Sequence, residues 1–266
     1  MSIQHKVARL FRSIAFRLDP PQETPGEFRG SWVIFKDLEP EFKAYYDRCI
    51  DFTMTPVEHL YAQYTAINYV VAAGIPGAIV ECGVWRGGSS MMAALRLKAL
   101  GDTTRKLYLY DTFVGMSQPK PEDVNVFGNP AAHKWEKSVG EDKNLWAYSP
   151  LDEVQRNMHS TGYPEDQIQF IKGKVEDTIP ATVPDRIALL RLDTDWFEST
   201  YHELVHLYPR LEPGGMLIID DYGHWEGCRK AVDQFMAENK LALCLHRVTY
   251  AGRVAIKTKP LTGNSQ

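Results

Sequence analysis

The twelve residues Ile79-Val80-Glu81-Cys82-Gly83-Val84-Trp85-Arg86-Gly87-Gly88-Ser89-Ser90 restrict the fold of this chain more than any other stretch. A short apolar run ends in an acid, a glycine-rich turn follows, and residues 91–100 suit a helix. That is how a buried parallel strand hands over to a helix at a nucleotide-type pocket, with glycines letting backbone approach a ligand. Such turns are common in α/β proteins. The stretch gains weight from four later acids, Asp111, Asp193, Asp220 and Asp221, each standing where a following strand is expected to end.

The rest of the chain alternates strand and helix signals. Thr55-Pro56-Val57-Glu58 carries a capping-box pattern and opens a helix expected to run to Gly74, after an earlier one over residues 37–50. Strands are expected over 106–111, 168–172, 187–193 and 216–220, the last entered through a sharp turn at 211–215. Helices are expected from Leu151, over 196–208 and over 225–238. This alternation gives a parallel, doubly wound sheet. Two final strands, 241–248 and 253–257, have only four residues between them and must form an antiparallel hairpin. Residues 112–149 are long, polar and aromatic with no sustained period, as expected of a lid or binding loop.

At 266 residues the chain suits one large α/β domain with an extension. A net charge of −4 with 44% apolar residues argues against nucleic acid as the main partner. No C-x-x-C pair occurs among Cys49, Cys82, Cys228 and Cys244, which reads as reduced, buried thiols in a cytoplasmic protein. The longest apolar region, 66–84, is broken by Asn68, Gly74, Pro76 and Glu81, so it is not a transmembrane span. Val7, Leu10, Phe11, Ile14 and Leu18 form an amphipathic stripe, followed by a linker at Pro20, Pro21 and Pro25. Such a stripe is expected to pack on another subunit or on its own body rather than on a membrane.

The strand-end acids suggest chemistry. In an open α/β sheet ligands bind outside the carboxyl ends of the strands. Asp111 is placed to accept the hydroxyls of a ribose, although a solvated turn-capping aspartate would look the same. The turn reads G-V-W-R-G-G rather than G-x-G-x-x-G, which disfavours a nicotinamide dinucleotide. Adjacent strands lie about 4.8 Å apart, so Asp193, Asp220 and Asp221 could converge on one cation. An all-oxygen set favours a hard ion such as Mg²⁺. Asp195 is an alternative ligand or a supporting partner.

Four stretches in order then carry a resemblance. They are residues 80–89 within the glycine turn, Tyr110-Asp111-Thr112-Phe113-Val114-Gly115-Met116, Leu190-Arg191-Leu192-Asp193-Thr194-Asp195-Trp196-Phe197-Glu198-Ser199-Thr200, and Leu211-Glu212-Pro213-Gly214-Gly215-Met216-Leu217-Ile218-Ile219-Asp220-Asp221-Tyr222-Gly223. Together they resemble the macrocin-type O-methyltransferases of tylosin, mycinamicin and novobiocin. The resemblance implies a seven-stranded Rossmann-like sheet with a reversed last strand, S-adenosylmethionine as donor, and Mg²⁺. It divides the chain into an N-terminal extension and linker (1–50) and a methyltransferase domain (51–260) whose lid spans 112–149.

By the same resemblance Glu81, Gly83 and Ser89 hold the methionine end of the donor. Asp111, followed by Thr112, holds its ribose, and Val175 borders adenine. Met54 packs near the sulfonium, as in catechol-type enzymes. Asp193, Asp220 and Asp221 hold the metal. Position 196 is tryptophan, so the lysine base of catechol-type enzymes is missing. His133, the histidine of the long loop, and metal-bound Asp193 are the candidate bases. The implied acceptor is a small glycosylated or polyhydroxylated compound, and a dimer or tetramer is implied as the assembly. A metal-dependent hydrolase, an oxidoreductase and a non-catalytic binding module are the alternatives.

Overall fold

A computed structural model describes residues 38–258. The amphipathic stripe at residues 5–18 and the proline-marked linker lie outside the described residues, as does the start of the helix expected from Asp37.

The chain enters through α1 (Pro40–Cys49) and α2 (Val57–Ala72) and then forms β1 (Ala78–Cys82). There follow α3 (Gly88–Ala99), β2 (Leu107–Asp111), α4 (Ala132–Lys137), α5 (Leu151–His159), β3 (Ile168–Lys172) and α6 (Val175–Thr178). The second half is β4 (Ile187–Leu192), α7 (Phe197–Leu207), β5 (Leu211–Ile219), α8 (Glu226–Glu238), β6 (His246–Arg247) and β7 (Arg253–Ile256). The strands make one seven-stranded sheet in the order β3-β2-β1-β4-β5-β7-β6. The first five are parallel, and β7 runs antiparallel to both β5 and β6.

Burial follows from the sequence of the central strands. Every residue of β1 and β4 is buried, because helices cover both faces. One apolar cluster joins α1, α2, α3 and α5 to one face of the sheet, and a second joins α7 and α8 to the other. Each fully buried leucine or isoleucine there is worth about 1.5–3 kcal/mol. Within this apolar wall β4 carries a single arginine, Arg191, only 2% exposed.

Several expectations are corrected. The capping box at Thr55 does not form. Pro56 is the cap residue, and the Thr55 hydroxyl shares a hydrogen bond with Thr53 Oγ1 at 2.8 Å instead. The turn expected at 211–215 is part of β5, where Gly214 at φ +84° and a register shift against β4 absorb the irregularity. The strand expected over 241–248 pairs with β7 only at His246 and Arg247, because the chain bends before them, His246 N donating back to Cys244 O at 3.0 Å. Leu241, Leu243 and Leu245 keep the alternation by packing on the second cluster without a ladder. The loop 112–149 contains α4, and Cys244 is exposed, while Cys49, Cys82 and Cys228 are buried free thiols.

Among the described residues no helix is long and apolar enough to cross a membrane.

Candidate functional site

The strand order reverses between β1 and β4, and the crevice opens there. Asp193 N donates to Cys82 O at 2.8 Å, closing the two strand ends together. Gly83 sits directly over this seam at φ +84°, and a Cβ there would lie 2.0 Å from the carbonyl oxygen of Asp193. Only glycine fits this crossing.

Two cavities flank the seam. The first is lined by Gly83, Asp111, Thr112, Gly173, Val175 and the junction residues described below. Asp111 Oδ2 accepts the backbone N–H of Val84 and of Trp85, and Oδ1 accepts that of Phe113. Burial raises the Asp111 carboxyl above its ordinary range, against the pull of those three donors. Oδ2 is filled by its two donors, and Oδ1 keeps a lone pair for a ligand hydroxyl. The Thr112 hydroxyl donates to Gly115 O at 2.6 Å and shapes the turn beside it. Trp85, Ala147 and Asp195, all at positive φ, line this cavity. Strained backbone of this kind gathers at functional sites.

The second cavity, about 720 Å³, is lined by Glu81 and Ser89, by Asp220, Asp221 and His224, and by Trp225 and Tyr250 among others. Met54, Trp85, Trp146, Asp193 and Asp195 line both cavities. Met54 is 53% exposed at this junction.

The acids at the floor divide into two groups. Carboxylate oxygens of Asp193, Asp195 and Asp221 all lie within 4.8 Å of one another. Enclosure and mutual repulsion push all three above the usual carboxylate range, Asp195 to about 8. Asp220 differs. Its Oδ1 accepts from Arg191 at 2.6 Å and pairs with His59 Nδ1 at 2.8 Å. Burial alone would raise its carboxyl, but these two neighbours hold it below the usual range. Both bonds land on Oδ1, so Oδ2 is the oxygen left for the cleft that Asp220 lines. Arg191 also donates to Glu81 Oε1 at 2.8 Å and to Asp193 Oδ2 at 2.6 Å. Ser90, rather than Ser89, donates to the other oxygen of Glu81.

The long loop is pinned over the crevice. Trp146 packs on Trp196 and Trp225 with centroid separations of 5.6 and 6.0 Å. Asp123 of the loop accepts from Phe197 N at 2.9 Å, capping α7 from outside that helix. Val126 N donates to His224 O, and Glu226 N to Val124 O.

The structure thus brings together Met54, Gly83, Asp111, Thr112, Val175, Asp193, Glu81, Ser89, Asp220 and Asp221. His133 is set apart. It is exposed on α4 and lines neither cavity, while its neighbour Lys134 reaches Trp146. Sequence reasoning missed His59, Arg191, Trp85, Trp146, His224 and Tyr250. Arg191 had a signal, a charge inside an apolar strand that ends in acid. His59, on a helix of mixed residues, had none.

A sheet of this order, with a reversed strand beside β5 and a crevice at its switch point, defines the Rossmann-like class of S-adenosylmethionine-dependent methyltransferases. The structure of the O-methyltransferase NovP superposes with a TM-score of 0.68 at 29% identity, covering 78% of this chain and 83% of NovP. The fold alone is shared with the calicheamicin methyltransferase CalS11, at a TM-score of 0.57 and 17% identity over 82% of this chain and 87% of CalS11.

The chain belongs to the macrocin O-methyltransferase (TylF) family, whose model matches residues 46–255. It is 40% identical over 183 residues to the 8-demethyl-8-(2,3-dimethoxy-alpha-L-rhamnosyl)-tetracenomycin-C 4'-O-methyltransferase of Streptomyces olivaceus, covering 69% of this chain and 67% of the relative. Identity to the mycinamicin III 3''-O-methyltransferase of Micromonospora griseorubida is 34%, covering 69% of each. The hydrolase and oxidoreductase alternatives fall with this membership.

Proposed function

We propose that the chain transfers the methyl group of S-adenosylmethionine to a sugar hydroxyl of a small natural-product glycoside, with Mg²⁺ at the strand-end acids. The junction of the two cavities carries this reading. A donor in the first cavity, with its sulfonium near Met54, would present its methyl group to a hydroxyl held in the second. Asp111 and Thr112 would hold the ribose, and Val175 would border adenine. Gly83 gives the donor room, and Glu81 and Ser89 would receive its methionine end from the adjoining cleft.

The acceptor side supports a glycoside. Trp85, Trp146, Trp225 and Tyr250 offer apolar ring faces with polar tips, which suit a saturated ring carrying hydroxyls. The relatives named for a rhamnosyl tetracenomycin and for mycinamicin III point the same way.

The acids fit a hard cation. Their donor set is oxygen only, and three enclosed carboxylates within 4.8 Å repel one another until a positive charge relieves them. Asp193, Asp195 and Asp221 would hold it, with Asp220 adding Oδ2. When bound, Mg²⁺ acidifies and orients a coordinated hydroxyl. Asp193 and Asp195 stand at the junction itself, so a carboxylate there, rather than exposed His133, is the group placed to take the hydroxyl proton. The tryptophan-pinned loop excludes water and fixes the approach.

Incubation with S-adenosylmethionine and a panel of rhamnosides and related glycosides tests the reading. One methyl group should be added to an acceptor, with demethylated donor released, and the reaction should stop in EDTA and resume with Mg²⁺. Failure to bind S-adenosylmethionine or S-adenosylhomocysteine would refute it. A homo-oligomer, the assembly expected from the stripe at residues 5–18, should appear in light scattering of the full chain.

A further inference from the structure

His59 stands where three elements meet. It projects from the first turn of α2, is 5% exposed, and touches both the carboxyl end of β5 and the turn between β6 and β7. Its Nδ1 pairs with Asp220 Oδ1 at 2.8 Å and its Nε2 with Thr249 Oγ1 at 2.7 Å. The ring also sits close against Gly252, where an added Cβ would come 2.5 Å from Nε2.

Hydrogen-bond counting orders the protons in this chain. Thr249 Oγ1 accepts the N–H of Ala251 at 3.2 Å and that of Gly252 at 3.1 Å. Both lone pairs of the hydroxyl are therefore taken, and its one proton is left to point at His59. Nε2 is the acceptor of that bond, so the ring proton sits on Nδ1 and is donated to Asp220. The relay runs Thr249 O–H to Nε2, then Nδ1–H to Asp220.

The turn it grips is a wall of the second cavity, lined there by Val248, Thr249, Tyr250 and Ala251. The same turn meets the segment after β5 at two further points. Gly223 N donates to Ala251 O at 2.8 Å, and the Tyr250 hydroxyl pairs with His224 Nδ1 at 2.9 Å. Without His59 the turn would be held to the β5 end by those two contacts alone, beside a β6 only two residues long.

We infer that His59 is a positioning residue: through Thr249 and Asp220 it locks the β6–β7 turn to the acid-bearing end of β5, so that the wall and floor of the acceptor cleft move as one body. Its sense as an acceptor clamp rests on the methyltransfer reading, while the clamp itself does not. A clamp of this kind sets how far Tyr250 stands from the acids, and hence the size of acceptor that fits.

The full chain is compared as wild type, Thr249→Val, Thr249→Ser and His59→Gln. In ¹⁵N-edited imidazole spectra, the His59 signal, found by its loss in His59→Gln, should show a protonated Nδ1 and an unprotonated Nε2. The Nε2 signal should move in Thr249→Val and return in Thr249→Ser. Hydrogen exchange should accelerate at least tenfold in Thr249→Val both at residues 248–252 and at residues 219–224, and the serine variant should restore both. S-adenosylhomocysteine affinity should stay within twofold of wild type, which also reports that each variant is folded. If His59→Gln fails to fold, the valine and serine pair still decides the matter. A proton on Nε2, or loosening of 248–252 with 219–224 unchanged, overturns the clamp. Loss of S-adenosylhomocysteine binding by the wild type would strike the methyltransfer reading and leave the clamp standing.

Discussion

The two sides of the crevice are built on opposite electrostatic plans. On the β2 side, Asp111 is satisfied by three backbone N–H donors of the turns around it. On the β4–β5 side, Asp193, Asp195 and Asp221 face one another; Arg191 donates to Asp193 at 2.6 Å but is shared with Asp220 and Glu81, and His59 serves Asp220. One side is satisfied by backbone donors, and the other, under the proposed function, would be relieved by a cation. A donor with a fixed shape suits the first. A hydroxyl that must lose a proton suits the second, because charge left uncompensated in the protein is what a metal and a reacting oxygen can use.

The largest expected effect lies on the unfinished side. Asp193→Asn or Asp195→Asn should lower kcat by about 10²–10⁴-fold, the usual worth of a positioned proton acceptor. S-adenosylhomocysteine affinity measured by calorimetry should stay within a few-fold. Equal losses in donor affinity and kcat would erase the contrast between the two sides.

Gly83→Ala should damage both sides, since the new Cβ must displace the Asp193 backbone while holding positive φ. Strain of about 1–3 kcal/mol should lower the melting temperature by roughly 2–10 °C and weaken donor binding together. Next comes Asp111→Asn, which keeps the size of the side chain but turns one acceptor into an N–H₂ facing backbone donors. Donor affinity should fall by about 1.5–3 kcal/mol, the range for hydrogen bonds to a charged group. An unchanged affinity would remove Asp111 from the ribose site.

Stability against pH should separate the sides as well. Asp195 has its folded carboxyl raised from 3.8 to about 8. A raised acid holds its proton in the folded state while the unfolded chain releases it, so its stabilising contribution is full below about pH 4 and is lost as pH rises towards 8. In EDTA the melting temperature should fall across that window, and Asp195→Asn or added Mg²⁺ should flatten the fall. The smallest effect should come from His133→Ala. The residue is exposed on α4 and outside both cavities, so turnover should stay within a few-fold of wild type. A loss of 10² or more would return the base to the loop.

What could be read from the residues divides along the same line. β1, β2, β3 and β4 were legible because their apolar runs end in acids or turns, and the antiparallel return of β7 followed from a connection too short for a crossover. The acid set was legible as residues standing at strand ends. Its partition was not, because Asp220 is drawn to His59 across 161 positions of sequence, and no local pattern encodes that meeting. The lid was readable as a long irregular loop. Its anchoring through Trp146 and Asp123 was hidden, since both partners lie on later elements. The β6 strand was overread because alternation reports burial and does not by itself report a ladder.

Calorimetric titration of S-adenosylhomocysteine into EDTA-stripped protein, repeated with saturating Mg²⁺, tests the division of the crevice most directly. Donor affinity should agree within about threefold in the two conditions, a difference of less than about 0.7 kcal/mol. Methyl transfer from S-adenosylmethionine should occur only with the metal. A donor that binds only when Mg²⁺ is present, or full transfer in the stripped protein, would contradict it.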